Sequence, residues 1–261
     1  MSSIENHRFD TENLELGSGP LGCYLIHGFT GTTYELRGLA HFLADQGYRV
    51  TARLLPGHGT TMEECNLVKA EDWLEEVEYH FTDFMLDCEA AFVIGLSMGA
   101  GLALHLAALF PLAGVVAMSP ALILPSWKLR LLPITSRFKP ILPKAQVYAD
   151  RNPDQHLYYG YPGYPAKALW QMMRLHRHIR AELGNVTAPA LIMHSHADIT
   201  APFINARLVH ETIASRDKAL IEFEQSSHML PDDTEKEAVW RAIGEFVAAH
   251  IPQQADALPI P

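Results

Sequence analysis

The stretch Ala91 to Leu104, AFVIGLSMGAGLAL, constrains this chain more than any other. Ala91 to Ile94 is a short apolar run bounded by Gly95, which predicts a strand buried on both faces. From Met98 to Leu109 the composition turns to Ala, Leu and Gly, which predicts a helix. Between them lies Gly95-Leu96-Ser97-Met98-Gly99, a G-x-S-x-G. On a sharp strand-to-helix turn such a serine is strained and its hydroxyl is exposed. The flanking glycines are needed because a Cβ at either position would collide with the neighbouring strand and helix. A helix N-terminus beside Ser97 favours developing negative charge. The five-residue pattern alone recurs by chance. The strand before it and the helix after it make Ser97 the candidate nucleophile.

The 261 residues suffice for one large α/β domain with an insertion and a sizeable core. A formal charge of −10 argues against a nucleic-acid partner. Cys23, Cys65 and Cys88 are odd in number and lack metal-like spacing, which suits reduced thiols in a cytoplasmic protein. Residues 1–20 are polar and acidic, without the apolar stretch of a signal peptide. The longest apolar region, Gly101 to Met118, is broken by His105 and Pro111 and is too interrupted to span a membrane. The proline-rich last ten residues read as a loose tail.

Taken in order, Leu21 to His27 reads as a buried strand leading into His27-Gly28-Phe29-Thr30-Gly31. Thr32 and Glu35 match a capping box that opens a helix with Leu36, Leu39, Ala40 and Leu43 on one face. Gly47 stops it, and Tyr48 to Leu55 is the next strand, ending in the turn-rich Pro56-Gly57-His58-Gly59. A helix over Ala70 to Leu86 buries Trp73, Val77, Phe81 and Phe84. After the Ser97 unit, Gly114 to Met118 is another strand. From Ala121 to Asn185 no clean strand fits, and the prolines are expected to keep helices short. Alternation resumes with a strand from Ala190 to His194, a helix from Pro202 to Ile213 and a strand from Ala219 to Glu224. The final helix carries Val239, Ile243, Phe246 and Val247, with Asp232 and Glu235 as its cap pair. This alternation predicts an α/β fold with a doubly wound, mostly parallel sheet. Residues 1–120 and 186–261 form the core. Residues 121–185 form a small cap inserted after the strand that follows the nucleophile helix.

A serine hydroxyl needs a base, and the base needs an orienting acid. On this scaffold the acid and then the histidine follow the serine in the chain. Asp198, just beyond the strand Ala190–His194, and His228, just beyond Ala219–Glu224, supply that order at C-terminal strand ends. The plainer alternatives are a loop aspartate bonding its own backbone and a surface-loop histidine. Backbone N–H groups of Met98 and Phe29 are the expected oxyanion donors. His27 supports its loop rather than reacting.

Together these residues resemble the α/β-hydrolase superfamily. Within it they are similar to the bacterial monoacylglycerol lipases and small carboxylesterases, over about residues 20–118 and 186–250. The resemblance implies a Ser97-Asp198-His228 triad, an oxyanion hole from Phe29 and Met98, and no cofactor. It implies hydrolysis of small-molecule carboxylic esters with short or medium acyl chains. A thioesterase or lysophospholipase with the same triad is the alternative among enzymes; a ligand-binding protein with little turnover is the alternative outside them. Serine at position 97 disfavours an aspartate-nucleophile dehalogenase.

His194-Ser195-His196-Ala197-Asp198 matches most of a dinuclear H-x-H-x-D-H motif, but Ile199 stands where its last ligand would be, so no metal is expected. His176 and His178 do not share a helix face and read as surface, and Ser119 and Ser195 as structural. Between Ala121 and Asn185, ten basic residues stand against three acids, +7 in a chain of −10, beside Trp127, Leu131, Leu132, Phe138, Ile141 and Leu142. This mixture either docks weakly on anionic lipid or lines an acyl pocket.

Overall fold

A computed structural model describes residues 12–124, 127–144 and 160–252, without the side chains of Trp127 and Lys128. In chain order it contains β1 (Leu14–Leu16), β2 (Leu21–Ile26), α1 (Arg37–Ala44), β3 (Arg49–Ala52), α2 (Met62–Cys65), α3 (Ala70–Met85), β4 (Ala90–Leu96), α4 (Met98–Leu109) and β5 (Gly114–Met118). An insertion follows, with α5 (Leu132–Thr135), β6 (Ile141–Pro143), β7 (Gly163–Pro165) and α6 (Ala166–Glu182). The chain then returns to the sheet with β8 (Ala190–Ser195), α7 (Ile204–Thr212), β9 (Lys218–Phe223) and α8 (Lys236–Ala249).

The seven-stranded sheet runs β1-β3-β2-β4-β5-β8-β9. Only the β1–β3 pair is antiparallel. Side chains alternate across β4, with Ala91 and Val93 in one apolar cluster and Phe92, Ile94 and Leu96 in the other. The first cluster lies under α3, α4 and α7; the second lies under α1 and α8. The helix stripes read from the sequence are buried as expected, from Trp73 to Phe84 in α3 and from Leu36 to Leu43 at α1. Helix α4 is buried almost all round because the sheet, α3 and α6 enclose it.

Strand order reverses between β2 and β4: the chain goes outward to β3 and then crosses back to β4 on the other side of β2. The loops after β2 and β4 therefore diverge at the carboxyl edge, where open parallel sheets keep their sites. Ile26 pairs with Gly95, which sets the Gly28 loop beside Ser97.

Several local expectations are corrected. β1 lies in a stretch read as merely polar; three residues are too few to show periodicity. Thr32 caps a 3₁₀ turn through Tyr34 N–H at 3.3 Å, but the Glu35 side chain turns away from that box. Asp232 and Glu235 do not form a cap pair. α8 starts after Glu235, whose carboxylate points back to Ser226, while Asp232 pairs with Lys236 at 3.5 Å. The insertion does contain strands, the antiparallel β6–β7 pair. It also holds a 17-residue helix, α6, because the prolines stop at Pro165 and its N-terminal N–H groups find an external cap. Asn66 Oδ1 accepts from Lys167 and Ala168 N–H at 2.9 and 3.3 Å. His176, read as surface, is buried on α6; at i, i+2 one histidine must face inward when His178 faces out. Burial and nearby Arg180 push its pKa down to about 3. Arg151, Asp150 and Asp154 of the charged set lie outside the described residues, as do the tail and residues 1–11.

A Cβ on Gly99 would run into the backbone carbonyls of Ile26 and His27, whereas one on Gly184 would meet nothing. Gly99→Ala should therefore lose at least about 2 kcal/mol in urea denaturation. Gly184→Ala should stay within about 0.5 kcal/mol of the parent.

Candidate active site

Ser97 stands between β4 and α4 with φ 58° and ψ −113°, the strained turn expected for an exposed nucleophile. Its N–H donates to Met118 O at 2.9 Å, which ties the turn to β5. A Cβ on Gly95 would strike the Gly99 carbonyl, so the strand and helix close on each other only with glycine at both places. Met98 is the first residue of α4, and its N–H is among the helix donors with no intrahelical acceptor.

Asp198 and His228 come together as the chain order predicts, with His228 Nδ1 2.7 Å from Asp198 Oδ2. That contact places the proton on Nδ1 and leaves Nε2 as the basic nitrogen. Asp198 is fully enclosed and also receives His194 Nε2 at 3.2 Å and the N–H groups of Thr200 and Ala201 at 2.8 and 2.9 Å. Burial raises the Asp198 carboxyl, but the charge of His228 and these donors outweigh it and hold it well below the usual carboxylate range. The plainer reading of Asp198, a loop aspartate bonding its own backbone, is thus fulfilled by Oδ1 while Oδ2 serves the histidine.

The two histidines of the incomplete metal motif diverge. His194 Nε2 is shared between Asp198 and Ala201 O at 3.0 Å, whereas His196 reaches Glu222 at 2.6 Å and stacks on Phe203. Ser195 accepts from Ala197 N–H and is structural. Sequence reasoning missed His194 as a second donor to Asp198, because strand spacing says nothing about a loop folding back.

The Gly28 loop is built from two sides. His27 accepts from Leu55 N–H at Nε2, 3.0 Å, and gives its Nδ1 proton to Gly28 O at 2.8 Å, the supporting role expected of it. Burial lowers its pKa to about 4, so it is a neutral brace. The Phe29 ring stacks on Tyr164 and meets Trp73 and His58 edge-on, which fixes the peptide carrying its N–H. Thr30 holds φ 64°, and the insertion grips it: its carbonyl accepts from Tyr161 N–H at 2.9 Å, and its hydroxyl from Lys144 Nζ at 2.6 Å. A Cβ on Gly160 would run into the same carbonyl.

Ser97, His228 and Phe29 share the wall of one cavity of about 300 Å³. Leu124, Leu129, Leu142, Tyr164, Leu169 and Met172 from the insertion supply most of its apolar surface. Carboxylates fix the surrounding loops. Glu235 Oε2 accepts from Gln225 and Ser226 N–H, and Asp233 Oδ2 accepts from Ser227 N–H next to His228.

Glu35 has a place at the site that the capping pattern concealed. Its carboxylate is buried beside the cavity and accepts Gly28 N–H at 3.0 Å. Burial pushes it up to about 7, against the pull of Gly28 N–H, Lys144 and His228. A carboxyl raised from 4.5 in this way binds more protons folded than unfolded, so its contribution to stability falls as pH rises from about 4.5 to about 7. Glu35→Gln keeps an acceptor for Gly28 and removes that loss. His27, His58 and His176, all depressed by burial, act in the opposite sense over an overlapping range, so the variant is compared with the parent at each pH. Its relative stability should grow by on the order of 3 kcal/mol between about pH 4.5 and about pH 8 in urea denaturation. A pH-independent difference would contradict this account of Glu35.

Comparison with known proteins accords with this geometry. The family model described as serine aminopeptidase, S33, matches residues 22–235. A thermostable monoacylglycerol lipase of Bacillus sp. (strain H-257) is 33% identical over 237 residues, 89% of this chain and 92% of that protein. A carboxylesterase of Bacillus subtilis (strain 168) is 24% identical over 232 residues, 88% of this chain and 93% of that protein. A structure reported for the metagenome-derived lipolytic enzymes LipS and LipT superposes with a TM-score of 0.86 at 30% identity, over 92% of this chain and 98% of that one. The monoacylglycerol lipase of Paleococcus ferrophilus shares the fold, with a TM-score of 0.79 at 23% identity, over 93% of this chain and all of that one. An elbow serine on a mostly parallel sheet and a family match across most of the chain lead to one conclusion: this is an α/β-hydrolase, a serine hydrolase belonging to the serine aminopeptidase S33 family.

Proposed function

We propose that this hydrolase cleaves carboxylic esters of short- or medium-chain acyl groups, with monoacylglycerols as the favoured class. The observation that carries the reading is that Ser97 and His228 line one cavity walled by leucines, methionine and tyrosine, which suits an acyl chain. Ser97 Oγ attacks the ester carbonyl while His228 Nε2 accepts its proton. The tetrahedral oxyanion is held by the N–H groups of Met98 and Phe29, and the helix dipole of α4 adds to that stabilisation. His228 then protonates the leaving alcohol, and Asp198 keeps the imidazole in the required tautomer. Water, giving a proton to His228 Nε2, then attacks the acyl carbonyl; the bond to Ser97 Oγ breaks, His228 returns the proton to Oγ, and the carboxylic acid leaves. Residues 121–185 act as a cap over the cavity in this scheme. Three buried thiols, Cys23, Cys65 and Cys88, suit a cytoplasmic setting.

With p-nitrophenyl butyrate as substrate, Ser97→Ala should lose on the order of 10⁴-fold or more in kcat with stability nearly unchanged. Asp198→Asn should lose about 10³ to 10⁴-fold. More than a tenth of the parent activity in Ser97→Ala would sink the assignment. A panel of acyl chains on glycerol, nitrophenol and coenzyme A fixes the substrate. Preference for coenzyme A thioesters would reassign the enzyme as a thioesterase.

The insertion supports a second, weaker proposal. Of the apolar residues beside its charges, Leu132 is buried in the core and Leu142 lines the cavity, so neither is offered to a surface. Leu131, Ile134 and Phe138 are exposed, Phe138 to 82%, among Arg130, Arg137 and Lys139. Among the described residues no helix is long and apolar enough to cross a membrane. A short basic and apolar segment of this kind suits shallow contact with anionic lipid, each basic residue adding about 1 kcal/mol. Sedimentation with anionic vesicles, but not zwitterionic ones, is expected. Salt and the combined change of Arg130, Arg137 and Lys139 to Gln should weaken it. Equal binding to both vesicle types, or to neither, removes the lipid contact.

A further inference from the structure

Far from the cavity, helix α4 and the insertion helix α6 bring three metal-ligating side chains together. His105, His178 and Glu182 each offer one ligand atom, and these atoms lie within 4.8 Å of one another. They are the only such group of three or more among the described residues. We propose that they form a divalent metal site of the zinc class that pins the insertion to the helix carrying the nucleophile at its start.

His178 and Glu182 stand one turn apart on α6 and face the same way, with Nε2 2.9 Å from Oε1. His105 Nδ1 lies 2.7 Å from Glu182 Oε2. The two contacts use different oxygens of Glu182. An ion would take one oxygen and draw both imidazole nitrogens, already within 4.8 Å, to the spacing of about 3.3 Å that a tetrahedral site with bonds of about 2.0–2.2 Å needs. His178 is half-exposed, which leaves an entry path and room for water as the fourth ligand.

The outer contacts favour a cation over a purely structural cluster. His105 is buried, and its other nitrogen, Nε2, lies 3.0 Å from Glu78 Oε1. A carboxylate on the far nitrogen fixes the tautomer and aims Nδ1 inward, the usual outer arrangement of a metal-bound imidazole. Two carboxylates around two imidazoles also carry a double negative charge when both rings are neutral, which a divalent ion would balance. The opposing account is a hydrogen-bonded cluster in which His105 bridges Glu78 and Glu182 with no ion. His105 lies eight residues beyond Ser97, about 12 Å along the helix, so the ion would brace the architecture and take no part in ester chemistry.

The full-length protein, stripped with chelator and dialysed, is titrated with zinc chloride by calorimetry and then melted with and without the metal. One Zn²⁺ per chain and a rise of several degrees in Tm are expected. His178→Gln, at a half-exposed position, and Glu182→Gln, at a partly buried one, should each weaken zinc binding at least tenfold. His196→Gln, which alters an exposed histidine paired with Glu222, should leave it unchanged. Co²⁺ in place of Zn²⁺ should give the visible absorption of tetrahedral coordination in the parent and not in His178→Gln. Absence of saturable zinc binding, or binding that His178→Gln leaves intact, would overturn the site and leave the hydrogen-bonded cluster without an ion.

Discussion

At Gly99, helix α4 meets the end of strand β2 with no side chain between them. Gly99 abuts the Ile26 and His27 carbonyls, and Gly95 abuts Gly99 itself. Everything at the carboxyl edge depends on that backbone-to-backbone approach. It brings the start of α4, with the Met98 N–H, next to the Gly28 loop that carries the Phe29 N–H. It also holds Ser97 at a positive φ that serine does not choose for itself, and the surrounding strands over-determine it. The strand order 3-2-4 then leaves a crevice at that point.

Polar side chains around this crevice act mainly as acceptors for backbone N–H groups. Glu35 takes Gly28, Asp198 takes Thr200 and Ala201, Asp233 takes Ser227, and Glu235 takes Gln225 and Ser226. Loops cannot satisfy their donors as helices and strands do, and carboxylates are strong acceptors for them. An acidic chain is thus partly the result of an edge made of loops. One of these four carboxylates also orients His228; the others hold the peptides around it.

This division explains what was legible in the sequence. Ser97, Asp198 and His228 could be found because each sits at a strand end whose strand is visible as an apolar run, and chain order did the rest. The stripes of α1, α3 and α8 were legible for the same reason: apolar periodicity reports what packs against a core. Glu35 and Glu235 were misread because a helix-cap pattern looks the same whichever N–H the carboxylate finally takes. His176 was misread for want of knowing which face of α6 would be covered. The insertion resisted because its organising contacts lie far away in sequence: Asn66 caps α6 from 101 residues upstream, and Asn205 clamps Ile123 across 82. No local window contains both partners.

Thr30 gives the insertion a hold on the reaction centre that bears on how such enzymes diversify. Its carbonyl, hydroxyl and neighbouring space are filled by Tyr161, Lys144 and Gly160, all from the segment that also lines the cavity beside Ser97. Under the proposed function, substrate range and oxyanion geometry would therefore be inherited together. A chimera that took its roof from a relative would arrive with a new pocket and an unfastened Phe29 peptide, and would show poor turnover whatever it bound. Exchange between relatives succeeds only where these three fasteners travel with the roof, which makes the segment a single unit of inheritance.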